Sequence, residues 1–259
     1  MSVVATSGTR DVCENLKKSG IKPQQILVNA SKGIELPSLM RMSQVIKDVL
    51  PEQKLVILSG PTLAKEVLQG KPTAACVACE DIETAKFVQK HLNVADKFRL
   101  YTNSDVVGVE LGGSLKNVIA IAAGFAAQMK LGDNANGALL TRGMAEIVRV
   151  SVKLGANPST LYGLSGMGDL IATCSSPLSR NHTVGAMLAQ GKKINAILSE
   201  LGSVAEGVHT SKAICELAKK LNVEVPLSEA IYEAVYTDIT PIEILHKLMN
   251  RKLKEEEKY

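Results

Sequence analysis

The chain has 259 residues, a net charge of +4, three Phe, five Tyr and no Trp. A charge that small and dispersed, without aromatic stacking platforms, argues against nucleic acid as a partner. The longest unbroken apolar run, 118–127, is about half of the ~20 residues a membrane span needs, so no membrane association is expected.

The opening "MSVVATSGTRD" has neither the basic start nor the long apolar stretch of a secretory signal. Five cysteines (Cys13, Cys76, Cys79, Cys174, Cys215) show no regular framework and read as reduced thiols of a cytoplasmic protein. "CVAC" lies in a strand-like segment, where positions three apart face opposite sides of the sheet. The four histidines show no ligand spacing, so no metal is expected.

Up to about residue 105, short apolar runs alternate with amphipathic stretches. "SVVAT" reads as a strand and "TRDVCENLKKSG" as a helix stopped by Gly20. "QILVNAS" is a strand, "LPSLMRMSQVIKDVL" a helix, and "KLVILS" a strand. "GPTLAKEVLQG" turns tightly into a helix, "TAACVAC" is a strand, "IETAKFVQKHL" a helix, and "FRLYT" a last strand. This alternation predicts βαβ units and a parallel sheet. From there on, helical periods dominate, at 108–130, 136–155, 167–174, 179–190, 207–221, 227–236 and 240–249. The expected organisation is an α/β part over residues 1–108, a truncated Rossmann-like parallel sheet, followed by an all-α part over 109–259. The tail "RKLKEEEKY" reads as a solvated, frayed end.

Several stretches carry candidate chemistry. "VNASKGIE" puts Ser31, Lys32 and Gly33 just past a strand, at the edge where open α/β sheets bind ligands. Its plain alternative is a loop with a solvated lysine. "LSGPTLAKE" repeats that geometry. Gly60 ends a strand, Pro61 suits a first helical turn, and the free amides and the Thr62 hydroxyl could receive an anion. "LGGSLKNVIAIAAGFAAQ" places Lys116 and Asn117 among Gly, Ser and aliphatic residues. A desolvated lysine there would have a lowered pKa, suited to proton exchange near neutrality.

In "GMGDLIATC", Asp169 can cap a short helix, with Thr173 four residues on and on the same face. "SPLSRN" reads as a helix start at Ser179, with Arg180 able to grip phosphate or carboxylate and Asn181 beside it. Glu206 in "GSVAEGVHT" reads locally as a cap. Arg142 and Glu146, four apart, read as an ion pair within one helix.

Taken in order, "SKGIE", "LSGPTLAKEV", "FRLYTNSDVVGVELGGSLKNVIAIAAG", "GDNANGALLTRGMAEI", "GLSGMGDLIATCSSPLSRN" and "VAEGVHT" resemble the bacterial NAD(P)-dependent glycerol-3-phosphate dehydrogenases. The resemblance runs along essentially the whole chain. It implies a Rossmann domain, a helical domain and an active site between them. The cofactor would be NAD or NADP and the small-molecule substrates dihydroxyacetone phosphate and sn-glycerol 3-phosphate, in glycerophospholipid, lipid and carbohydrate metabolism.

The resemblance also implies residue roles. Lys116 would be the proton donor and acceptor. Lys32, Gly60, Thr62, Asn117, Asp169, Thr173, Ser179, Arg180 and Asn181 would border the substrate together with Lys116. Lys32, Ala64, Arg180, Val204 and Glu206 would reach the cofactor.

The chain departs from the family pattern at its start. The family's G-x-G-x-x-G segment is absent, and Thr6 stands where the family usually has a proline. A sheet short of its first strands exposes an edge, which implies weak dinucleotide binding and a tendency to form homodimers or aggregates. Two other readings stay open on the residues: a non-catalytic fragment binding phosphate compounds or partner proteins, and a dehydrogenase for another hydroxy compound.

Overall fold

A computed structural model describes residues 1–253, 255 and 256. Part of the charged tail thus lies outside the described residues. The first expected strand is reduced to a single parallel bridge between Ser2 and Asn29. With a neighbour on one side only, the chain leaves the sheet after the Ser2 bonds to Val28 and Ala30. It then runs through a 3₁₀ turn, Thr6–Gly8, into α1 (Thr9–Lys18).

Strand β1 (Ile26–Asn29) is followed by α2 (Met42–Val49), shorter than the periodicity predicts. Residues 36–41 stay out of the helix. Leu39 has φ 62°, which a right-handed helix does not admit, and Pro37 disfavours helical backbone at Leu36. Then come β2 (Lys54–Ser59), α3 (Ala64–Leu68), β3 (Thr73–Ala78), α4 (Ile82–Leu92) and β4 (Phe98–Asn103).

The sheet order is β1-β2-β3-β4. β1 and β2 are parallel, as are β3 and β4, but β2 and β3 run antiparallel. The sheet is therefore mixed, which corrects the all-parallel expectation. The physical reason lies in α3, which has five residues and buries none of them. It does not pack across a sheet face as the crossover of a parallel connection must.

Strand alternation builds two small cores. Leu27, Leu55 and Ile57 face one side, packing with Cys13 of α1 and with Ile46 and Val49 of α2. Val28, Val56 and Leu58 face the other, packing with Ala85 and Val88 of α4.

The second part is helical: α5 (Val106–Gln128), α6 (Asp133–Lys153), α7 (Pro158–Leu161), a π-helical turn (Leu164–Gly168), α8 (Asp169–Ser175), α9 (Arg180–Ala189), α10 (Ile194–Leu201), α11 (Glu206–Leu221), α12 (Pro226–Tyr236) and α13 (Pro241–Met249). The short α7 and α10 have no counterpart among the predicted helices. Asp105 starts α5 by accepting from Gly108 N at 2.8 Å, and its second oxygen accepts from Asn157 N at 2.9 Å.

Helix α5 is long and apolar enough to cross a membrane by length and composition, yet 89% of that stretch is buried inside the protein. Neighbours reach it closely because glycines leave room. A Cβ on Gly185 of α9 would lie 1.8 Å from Ile121 O, and one on Gly124 1.9 Å from His182 O. Such an approach leaves no space for any side chain at the crossing.

Buried carboxylates fasten other elements. Glu110 of α5 accepts from Ser43 N, Ser43 Oγ and Arg41 Nη1, each at 2.7 Å. Glu146 of α6 accepts from Leu227 N (2.6 Å), Ser228 N (3.1 Å) and Ser228 Oγ (2.8 Å) at the start of α12. It makes no pair with Arg142, which reaches Glu256 at 2.8 Å instead. The expected ion pair within α6 is therefore absent. Glu146 faces the helical core while Arg142 faces solvent, so spacing alone did not bring them together.

Candidate active site

Lys116 lies mid-way along α5 and is 6% exposed. Its Nζ donates to Asp169 Oδ1 at 2.8 Å and to Thr173 Oγ1 at 2.5 Å. Thr173 Oγ1 also donates to Asp169 Oδ1 at 3.1 Å, across one turn of α8. Asp169 therefore does not cap its helix; its carboxylate is taken up by cations. The other oxygen, Oδ2, accepts from Lys32 Nζ at 2.6 Å, and Lys32 also donates to Gly60 O at 2.9 Å.

Lys32 follows β1 and Gly60 follows β2, whereas Asp169 belongs to α8. This cluster thus stitches the sheet edge to the helical part. The segment after Gly60 leans the same way, since a Cβ on Gly168 would meet Pro61 Cδ at 3.8 Å. Gly60 itself has φ 147° and backs onto Ala75, 2.9 Å from where a Cβ would sit. Thr62 Oγ1 donates to Gly60 O at 3.2 Å.

The cluster's electrostatics follow from its burial. Desolvation is the largest influence on Lys116, and Lys32 adds repulsion. Asp169 opposes both only in part, so the ammonium pKa falls from 10.5 to about 8. Burial pushes Asp169 upward, but Lys32 and then Lys116 overcome it and hold the carboxyl below its ordinary range. One carboxylate facing two amines leaves a net positive charge, suited to an anionic ligand.

Asn117, next along α5, accepts at Oδ1 from Asn181 Nδ2 at 2.9 Å, and Asn181 Oδ1 accepts from Gly207 N at 3.0 Å. Ser179 is the N-cap of α9, accepting from His182 N at 3.3 Å. Arg180 opens that helix, is exposed, and makes no hydrogen bond or ion pair among the described residues. Ala64 is exposed at the start of α3 and Val204 is 42% exposed ahead of α11.

Glu206, the first residue of α11, accepts at Oε1 from Thr6 N at 2.9 Å and at Oε2 from Thr6 Oγ1 at 2.7 Å. The cap reading of Glu206 is thus replaced by a tie to a residue near the start of the chain. Local reading also missed Ser59. Its Oγ is buried without a partner, 2.2 Å from the place of a Cβ on Gly113. Its position just before Gly60, at the carboxyl end of β2, is the signal that could have found it.

The five cysteines are free and buried. Burial pushes the Cys174 thiol, beside this cluster, up to about 12. Among the described residues no group of three or more His, Cys, Asp or Glu could hold a metal ion.

The family described as NAD-dependent glycerol-3-phosphate dehydrogenase, N-terminus, matches residues 1–85, and its C-terminus counterpart matches 105–246. A glycerol-3-phosphate dehydrogenase [NAD(P)+] of Synechococcus sp. (strain JA-3-3Ab) is 47% identical over 256 residues, covering 99% of this chain and 82% of its own. One from Anaeromyxobacter dehalogenans is 53% identical over 233 residues, covering 89% and 70%. The crystal structure of glycerol-3-phosphate dehydrogenase from Coxiella burnetii superposes with a TM-score of 0.91 at 33% identity, covering 96% of this chain and 76% of that one.

Fold and matches together define an oxidoreductase that uses NAD or NADP. The chain belongs to the glycerol-3-phosphate dehydrogenase family, and its two substrates are accordingly small molecules.

The residues expected at the cofactor fit such a ligand. An unpaired guanidinium (Arg180) and exposed apolar side chains (Ala64, Val204) match a molecule combining flat rings with phosphates. Arg180 and Glu206 each adjoin a partner of the Asn181–Gly207 bond.

Proposed function

We propose that this chain reduces dihydroxyacetone phosphate to sn-glycerol 3-phosphate with Lys116 as the proton donor, and that the same amine accepts the proton in the reverse direction. The observation that carries this reading is the cluster at the junction of sheet and helices in which the half-buried Lys32 and the buried Lys116 share the buried Asp169 carboxylate. Bound NADH or NADPH supplies the hydride. What the chain's own residues contribute is binding, orientation and the proton.

Lys116, with a pKa of about 8, is mostly ammonium at neutral pH and can give its proton to the oxygen on C2. Positioned acid catalysis of this kind is worth about 10²–10⁴-fold. Asp169 and Thr173 hold the amine in one orientation, and Asn117, braced by Asn181, borders the substrate beside it. Gly60, Thr62 and Ser179 would border the substrate, and Arg180 would grip its phosphate. Binding energy from that remote group then orients the reacting carbon. Lys32, Ala64, Val204, Arg180 and Glu206 would hold the cofactor.

The family's reaction supports a place in glycerophospholipid synthesis, hence in lipid and carbohydrate metabolism. The reduced thiols favour the cytoplasm. Val3, exposed beside the Ser2 bridge at the edge of the sheet, supports a homodimer.

The test is the pH dependence of dihydroxyacetone phosphate reduction, followed by NADH absorbance. Reduction needs the ammonium, so its rate falls as pH rises through about 8, while glycerol 3-phosphate oxidation rises through the same value. A reduction rate that stays flat across that region removes Lys116 from the role.

A further inference from the structure

Thr6 lies close to the start of the chain and is 7% exposed. It donates twice to Glu206, 200 residues away, from the backbone N–H and from the side-chain hydroxyl. The segment around it is fastened to the loop after β1, where Val4 N donates to Ser31 Oγ at 3.1 Å. Thr6 Oγ1 also occupies the space over Gly33, lying 2.1 Å from the place of a Cβ there. On the other side, Ala205 precedes α11 without a side-chain cap, so the start of α11 takes its anchorage from elsewhere. Gly207 N is bonded to Asn181, Asn181 to Asn117, and Asn117 adjoins Lys116. A Cβ on Gly207 would lie 2.5 Å from Asn117 O, so α11 starts directly against α5.

We propose that Thr6 is a positioning residue, whose paired bonds fix the Glu206 carboxylate for the cofactor and tie the first segment of the chain to the helical part. This rests on the reading of Glu206 as a cofactor contact. A carboxylate with both oxygens held by one residue cannot rotate, so the directions left for further donors are set in advance. That pre-organisation lowers the ordering cost of cofactor binding.

The test is steady-state kinetics of the whole chain with NADH and dihydroxyacetone phosphate. Thr6→Val keeps the N–H bond and loses the charge-assisted hydroxyl bond, which predicts an NADH KM raised about tenfold. The KM for dihydroxyacetone phosphate changes less than about twofold, and Thr6→Ser restores the NADH KM to within about twofold of the original.

A merely structural role would lower the melting temperature and the active fraction while leaving both KM values unchanged, and that result overturns the proposal. Should Thr6→Val not fold, Thr6→Ala and its combination with Glu206→Gln decide the matter. Each alone raises the NADH KM, and the two together raise it no further than Glu206→Gln does. A Glu206→Gln enzyme with an unchanged NADH KM contradicts the proposal. An original chain that does not oxidise NADH at all removes the cofactor reading beneath it, and so is distinguished from failure of Thr6 alone.

Discussion

Replacing Asp169 by Asn removes the only carboxylate among the described residues in direct contact with Lys32 and Lys116, and leaves a buried and a half-buried amine in one site. At an effective dielectric of about 20, each gross attraction at 2.6–2.8 Å is about 6 kcal/mol. Breaking a buried pair typically costs about 3–5 kcal/mol net. The variant has an inexpensive escape. For a group whose pKa is about 8, shedding the proton at about pH 7.5 costs only about 0.7 kcal/mol. Lys116 should therefore go neutral before the fold is lost.

If about 3 kcal/mol of the lost attraction falls on Lys116, its pKa drops by about two, to near 6. The ammonium fraction at about pH 7.5 then falls from roughly three quarters to about 3%, a loss near 25-fold in reduction from protonation alone. The assay is the pH profile of NADH oxidation by dihydroxyacetone phosphate, run beside urea unfolding to confirm that the variant is folded. A folded Asp169→Asn protein whose alkaline limb stays near 8 would refute the reasoning, because the carboxylate would then not govern the amine.

Arg180→Ala should raise the KM for dihydroxyacetone phosphate about 100-fold or more. Arg180→Lys should recover only part of that, since an ammonium cannot make the paired bonds of a guanidinium; equal KM values for the Ala variant and the original would end this assignment. Glu146 offers a test of stability. Burial pushes its pKa from 4.5 to about 7 against its three hydrogen bonds. The native state binds this proton more tightly than the unfolded chain, so the stabilisation is full below about 4.5 and is lost as pH rises through about 7. At 1.36 kcal/mol per unit of pH the loss is at most about 3–4 kcal/mol. Urea unfolding should show the original losing stability relative to Glu146→Gln over that interval, and a constant difference would contradict it.

How much of this was legible in the sequence differs from residue to residue. Lys116 stood out because an amine among glycines and aliphatics has no solvated face to occupy, and the helix periodicity already set Asp169 and Thr173 on one side. The alternating strands declared the sheet edge that carries Lys32 and Gly60. The direction of β3 was not legible, because it depends on whether α3 packs on the sheet, and its five residues do not reveal that. The loop 36–41 looked helical by its apolar spacing, but Leu39 takes a left-handed conformation that periodicity does not register. Glu146 and Arg142 had the right spacing and the wrong environments. The Thr6–Glu206 tie joins residues 200 apart in the chain, so no local pattern could announce it.

The most direct test of the central claim is Lys116→Met, which keeps the length of the buried stem and removes the amine. The expected result is a folded protein that binds NADH with near-original affinity by fluorescence titration. Its kcat for dihydroxyacetone phosphate reduction should be lower by about 10²–10⁴-fold. If that variant folds, binds NADH and keeps more than about a tenth of the original kcat, the proton comes from elsewhere and the account of this site is wrong.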